Sequence, residues 1–119
     1  MNSLLKEKFD EQIRIAKEFE KKGNLNKTWH FLERAHILGQ YHAGPHVFVH
    51  WCMLVLAVKT KNFSEIFGQV IRIVLAAPGS IFESAPKGNT GRSNVGIFQP
   101  MQIEKELEEI LKISKDGGI

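Results

Sequence analysis

All five histidines of the chain, His30, His36, His42, His46 and His50, fall within 21 residues. Nothing in helix formation asks for such a cluster, so its reason has to be sought in chemistry. His46 and His50 are four positions apart, which places them one turn apart on one face of a helix. That is the spacing by which a helix offers two imidazoles to one metal ion. Glu33 and His36, three apart, form the Glu-x-x-His pair that helical carboxylate-bridged metal proteins use. The turn between the two groups centres near Tyr41 and His42. In an antiparallel hairpin about that centre, His36 and His46 are level and His50 lies near Glu33, one turn deeper. Glu33, His36, His46 and His50 are therefore expected to converge as a metal site. Three nitrogens and one oxygen suit zinc first, with iron or manganese as alternatives. The same residues also fit a structural role. His36 shares a stripe with Leu25, Trp29 and Leu32 and can be a core histidine bonded to a carbonyl or to Glu33, while His46 can satisfy groups at a helix start.

Enzymatic machinery is incomplete. Val47 follows His46, so there is no His-Glu-x-x-His and a metalloprotease would lack its general base. Cys52 sits in an apolar run and reads as a small core residue. Ser80 and Ser84 have no obvious His–Asp partners for a triad. Whether the chain is an enzyme stays open at this level. A second polar group is Gly88-Asn89-Thr90-Gly91-Arg92-Ser93-Asn94, where glycines beside small polar residues and an arginine can form a backbone nest for an anion. No strand precedes it and no Gly-Lys-Ser/Thr follows, which excludes a P-loop. It reads either as a pair of tight turns or as a lid over the histidine cleft.

The elements that must position these groups are helical. Leu5, Phe9, Ile13 and Ala16 recur at helical spacing over 3–22. Gly23 ends that helix and Asn24 can cap the next. Residues 25–39 form a second helix closed by Gly39. Pro45 suits the first turn of a third, 45–60. Asn62 caps a fourth, 63–76, with Phe63, Phe67, Val70 and Val74 on one face, and Pro78-Gly79 stops it. The glycines and prolines of 77–100 break any regular pattern, yet Ile81, Phe82, Val95, Ile97 and Phe98 argue for an ordered loop. Ile103, Leu107, Ile110 and Leu111 then mark a final amphipathic helix over 101–114. At 119 residues the chain is expected to form one all-α domain, 1–119.

Two hairpins in this plan look like repeats. Gly23-Asn24-Leu25 and Lys61-Asn62-Phe63 are matching turn-and-cap sequences, and the same offset pairs Trp29 with Phe67, Leu32 with Val70 and Arg34 with Arg72. The first unit resembles a tetratricopeptide repeat in Ala16, Phe19, the Gly23-Asn24-Leu25 turn and Ala35. The second carries Pro78 where that pattern expects a proline but has Leu54 where a small residue is usual. The resemblance implies an interaction module holding a peptide or a second copy of itself. Two repeats are few for a free-standing solenoid, which favours a homodimer or a capping role for the loop and last helix.

Charge and hydropathy narrow the partners. The net charge of +3 is spread among acids, with no basic stripe bearing exposed aromatics, so nucleic acid is not expected. The longest apolar run, Trp51 to Val58, falls far short of the ~20 residues that span a membrane. The N-terminal residues lack a signal-peptide core, and the single cysteine fits a reducing compartment. A cytoplasmic protein is expected.

One set of residues is more specific. Glu33-Arg34-Ala35-His36-x-Leu38-Gly39-Gln40, His46-x-x-x-His50, Gly68-Gln69-x-x-Arg72, Gly88-Asn89-Thr90-Gly91 and Phe98-x-Pro100-Met101 together resemble a family of small bacterial proteins of unknown function. The resemblance covers nearly the whole chain. It implies that the histidine helices and the Gly-Asn-Thr-Gly loop come as a set, and that a histidine often stands where this chain has Ser80. His42, Gln69, Asn89, Thr90, Arg92 and Asn94 are accordingly the candidate ligand-binding residues around the metal set. The expectation is a helical binding protein with a histidine-lined polar pocket for a metal ion or small ligand. The alternative is the interaction module with structural histidines.

Overall fold

The computed structural model describes residues 1–76, 91–93 and 101–117. They form five α-helices and no strand, so the protein is all-α: α1 Ser3–Lys21, α2 Leu25–Gly39, α3 Ala43–Lys59, α4 Phe63–Ala76 and α5 Lys105–Gly117. None of these helices is long and apolar enough to cross a membrane.

The helix ends explain the segmentation. Asn2 starts α1 by accepting the Leu5 N–H at 2.9 Å. Gly23, at φ +75°, ends it. The Gly23 N–H reaches the Glu20 carbonyl and the Asn24 N–H the Phe19 carbonyl, each at 3.0 Å, the paired bonds of a Schellman motif. Asn24 then caps α2 through the Lys27 N–H at 3.1 Å. The α3–α4 corner repeats this arrangement residue for residue. Lys61, at φ +55°, takes the left-handed position. Its N–H reaches the Val58 carbonyl and that of Asn62 the Ala57 carbonyl, and Asn62 caps α4 through the Glu65 N–H at 3.2 Å.

Two helix starts differ from the sequence reading. α3 begins at Ala43 rather than Pro45, with the His46 N–H already bonded to the His42 carbonyl at 2.9 Å. Proline is tolerated anywhere in that first turn because none of its N–H groups has an intrahelical acceptor. α5 begins at Lys105 rather than Met101, although Ile103 in the lead-in is already buried.

α2 is the central helix, contacting α1, α3 and α5, while α4 packs on α3 and α5 rests on α1 and α2. Leu5, Phe9, Ile13 and Ala16 of α1 meet Trp29, Leu32, Ala35 and Leu38 of α2 and Val49, Met53 and Leu56 of α3 in one apolar core, closed by Ile103, Leu107 and Ile110. Gly39 lets α2 approach its neighbours, since a Cβ there would lie 2.8 Å from the Phe9 ring and 3.0 Å from Pro45. α5 is tied down by Arg34, which is bonded to Gln12 of α1 at 2.8 Å and to Glu104 and Glu106 at the start of α5.

The paired positions of the two hairpins do not share an environment. Trp29 and Leu32 are buried, at 7% and 5% exposed, whereas their counterparts Phe67 and Val70 are 71% and 46% exposed. α4 turns Glu65, Gln69 and Arg72 inward instead. That inversion builds the site.

Candidate metal centre

His36 lies in the last turn of α2, His46 in the first turn of α3, and His50 one turn further along α3. All three are buried, and their ligand atoms lie within 4.8 Å of one another. His50 Nε2 is 3.1 Å from His36 Nε2 and 3.1 Å from His46 Nε2. The rings are tilted or edge-on to one another, with centroids 4.7 to 5.0 Å apart, so nitrogens rather than ring faces converge.

The tautomer of His50 follows from its neighbour on α4. The Gln69 amide nitrogen donates to Glu65 Oε2 at 2.9 Å and to the Gly91 carbonyl at 2.8 Å. Both partners are pure acceptors, so the Gln69 oxygen must be the atom that faces His50 Nδ1, at 2.7 Å. A carbonyl oxygen only accepts. His50 Nδ1 therefore carries the proton, and its Nε2 lone pair points at the other two histidines. An outer hydrogen bond that orients a ligating imidazole in this way is the usual companion of a metal-bound histidine.

Burial keeps two of the three neutral. Burial pushes His46 down to about 4. Burial likewise takes His50 to about 4, against the Gln69 hydrogen bond and with help from His46 and Arg72. Neutral imidazoles keep the lone pairs that a metal needs.

Around the trio sits a shell of paired charges. Glu65 is 2% exposed. It accepts from Arg92 Nε at 2.9 Å and from the Ser93 N–H at 3.2 Å. Burial raises its pKa, but the hydrogen bonds of Gln69, Arg92 and Ser93 and the Arg92 charge together outweigh that and hold it below the ordinary carboxylate value. Arg92 stacks over the Trp29 ring at 3.9 Å. Gly91, at φ +84°, passes so close to the site that a Cβ there would sit 2.5 Å from His36 Cδ2.

Of the four expected metal ligands, the structure brings three together. Glu33 stands apart: its carboxylate lies 3.6 Å from Arg92 Nη1. Its pKa is raised because burial outweighs the arginine's pull. Of the expected ligand-binding residues, Gln69 and Arg92 belong to the surrounding shell. His42 is the residue before α3 and is half-buried outside the trio. Asn89, Thr90 and Asn94 lie outside the described residues, as do Ser80 and most of the proposed lid. His30 is exposed and rests edge-on against Phe31. The Cys52 thiol is half-buried and pushed up by burial, which does not favour a nucleophile.

Glu65 is the residue that sequence reasoning missed. Asn62-x-x-Glu65 has the spacing of a capping box, where the glutamate would merely satisfy the helix start. The available signal was Glu65 and Gln69, four apart on the side of α4 opposite its apolar stripe.

No curated protein and no solved structure matches the chain. A family model, described as "Protein of unknown function (DUF3703)", matches residues 3–111. Since that match takes in all five helices up to Leu111, the chain belongs to this family.

Proposed function

We propose that the protein binds one late transition-metal ion, zinc by preference, through Nε2 of His36, His46 and His50. The observation that carries this is the meeting of three buried imidazole nitrogens, one of them on a ring whose outer proton is held by Gln69. A tetrahedral ion with metal–nitrogen bonds of ~2.0–2.1 Å needs ligand nitrogens about 3.3 Å apart. The two separations of 3.1 Å fall close to that. A lone pair accepts one good hydrogen bond, so His50 Nε2 cannot satisfy both neighbours with protons. A cation accepts all three lone pairs at once.

The donor chemistry selects among metals. Imidazole suits zinc, copper, nickel and iron, whereas manganese favours carboxylates and water. With Glu33 held by Arg92, the set lacks the carboxylate of a non-haem iron triad. Three protein ligands also leave a fourth position for water or a small anion, the pattern of reactive rather than closed zinc sites. The small-ligand side of the reading belongs at that position. The repeated helix-end geometry at Gly23-Asn24 and Lys61-Asn62 supports a tetratricopeptide-like origin of the two hairpins, with the second adapted to carry the site.

The test is elemental analysis of the untagged protein after dialysis without chelator, followed by titration with zinc and cobalt(II). Near-stoichiometric metal, lost in His46→Ala and His50→Ala chains that keep their helicity, is the expected result. A protein that arrives metal-free and takes up neither ion would reduce the trio to a hydrogen-bonded cluster and end the proposal.

A further inference from the structure

The outward face of α4 bears no charge. Its exposed residues are Phe63, Ser64, Phe67, Val70, Ile71 and Val74, with Phe63 at 76%, Phe67 at 71% and Val74 at 64%. The ionic residues of this helix, Glu65 and Arg72, are both buried on its other side. Phe63, Phe67, Val70 and Val74 are spaced four, three and four apart, the heptad seam by which one helix packs along another. Of the two exposed aromatics of α3, Phe48 and Trp51, Phe48 lies beside Asp10, Arg14, Lys17, Glu18 and Lys21.

We propose that this face is a self-association surface and that its occupant is α4 of a second copy, packed antiparallel about a two-fold axis. Pairing decides the direction. Centred between Phe67 and Val70, antiparallel helices set each phenylalanine against a valine: Phe67 of one protomer opposite Val70 of its partner, Phe63 opposite Val74. A parallel pair would crowd phenylalanine on phenylalanine and leave valine facing valine. The absence of charge favours a like surface over a polar peptide, whose charged groups would lose their water without gaining a partner.

Area sets the strength. At ~200 Å² for an aromatic side chain, the exposed fractions of Phe63 and Phe67 amount to about 300 Å². Val70, Ile71 and Val74 bring the stripe to roughly 500 Å², so two copies would cover about 1,000 Å², the lower bound for a specific interface. The dimer is accordingly reversible, with a dissociation constant in the micromolar range of about 1–100 µM.

Sedimentation velocity of the full chain from about 1 to about 500 µM is the test, because self-association follows mass action. The sedimentation coefficient is expected to rise from monomer to dimer across that range. Phe67→Lys and Val70→Glu should each hold the chain monomeric, with helicity unchanged because both side chains are exposed. Mixing the two variants should restore a dimer, since the antiparallel register sets the new lysine opposite the new glutamate. A wild-type chain that stays monomeric throughout overturns the proposal, as does a dimer that survives both substitutions. Failure of the mixture to pair overturns the antiparallel register. If the wild-type chain instead remains monomeric and binds anionic vesicles, the face belongs to a lipid surface.

Discussion

Replacing Gly91 by alanine tests the candidate centre from a residue that offers no ligand. A Cβ at Gly91 would lie 2.5, 2.7 and 2.9 Å from Cδ2, Cγ and Nε2 of His36. Ordinary carbon contacts begin near ~3.5 Å, so the ring or the 91–93 segment must retreat by about 1 Å. If the ring yields, its nitrogen moves well beyond the ~0.2 Å tolerance of a metal–ligand distance, and affinity should fall about 100-fold or more. If the segment yields, the Gln69–Gly91 and Glu65–Ser93 hydrogen bonds weaken instead. Loss of such outer support lowers affinity by about 10- to 100-fold. Either response leaves metal binding at least about tenfold weaker, ~1.4 kcal/mol.

Gly23→Ala is the matched control. Gly23 also has positive φ, +75°, but a Cβ there meets nothing within 4 Å. Both substitutions carry the backbone strain of a left-handed alanine, ~1–2 kcal/mol, so both should lower the urea midpoint. Only Gly91→Ala should weaken zinc in competition with a chromophoric chelator. The reasoning fails if Gly91→Ala binds zinc within about threefold of wild type, or if Gly23→Ala weakens binding as much.

Gln69→Leu keeps volume but strips the His50 Nδ1 proton of its acceptor and Glu65 of a donor. Zinc affinity should drop about 10- to 100-fold and stability by ~1–3 kcal/mol, read by the same competition assay and by urea unfolding. Unchanged affinity would detach Gln69 from the centre. Metal-free stability should also depend on pH in a defined window. His46 and His50 fall to about 4 in the folded chain, against an ordinary value of ~6.5, so the unfolded chain takes up protons first. Stability should be fully present above pH ~6.5, decline as pH falls towards ~4, and lose up to about 3 kcal/mol for each histidine. Urea titrations across that range check it. A flat profile, or one that His46→Gln and His50→Gln leave unaltered, would contradict the burial assigned to the trio.

Much of the scaffold was legible because its signals are local. Asn24 and Asn62 cap helices where an asparagine after a turn is expected to, and the apolar stripe of α1 is buried as its period requires. The approach of His36, His46 and His50 was legible too, since an antiparallel hairpin about Tyr41 and His42 leaves those residues few other places to go. Glu33, expected beside them, falls outside that group of three. Its carboxylate pairs with Arg92, 59 positions away in sequence, and nothing in local spacing announces a contact across that distance. Glu65 was overlooked because a glutamate three residues after the capping Asn62 has an ordinary place at a helix start. The orientation of α4 was not legible. Its aromatic stripe has the period of a core-facing helix, and periodicity identifies a face without saying which way it turns.

The inverted helix links the two proposals. An α4 placed for stability alone would turn Phe63, Phe67, Val70 and Val74 onto α3 and leave Glu65, Gln69 and Arg72 in water. Burying the polar set instead is unfavourable unless every member is paired. The chain Arg92–Glu65–Gln69–His50 and the Arg72 bond to the Gly68 carbonyl supply that pairing, yet an apolar core of the same volume would ordinarily be at least as stable. The return lies in what the polar face can hold, because a ligand bound only by the folded state stabilises it by ~4 kcal/mol at a thousand times its dissociation constant. Once α4 commits its inner face to the histidine site, its apolar residues have no place left but the surface. Self-association would then cover what a metal centre displaced, and the proposed site and interface would be two consequences of one rotation of one helix.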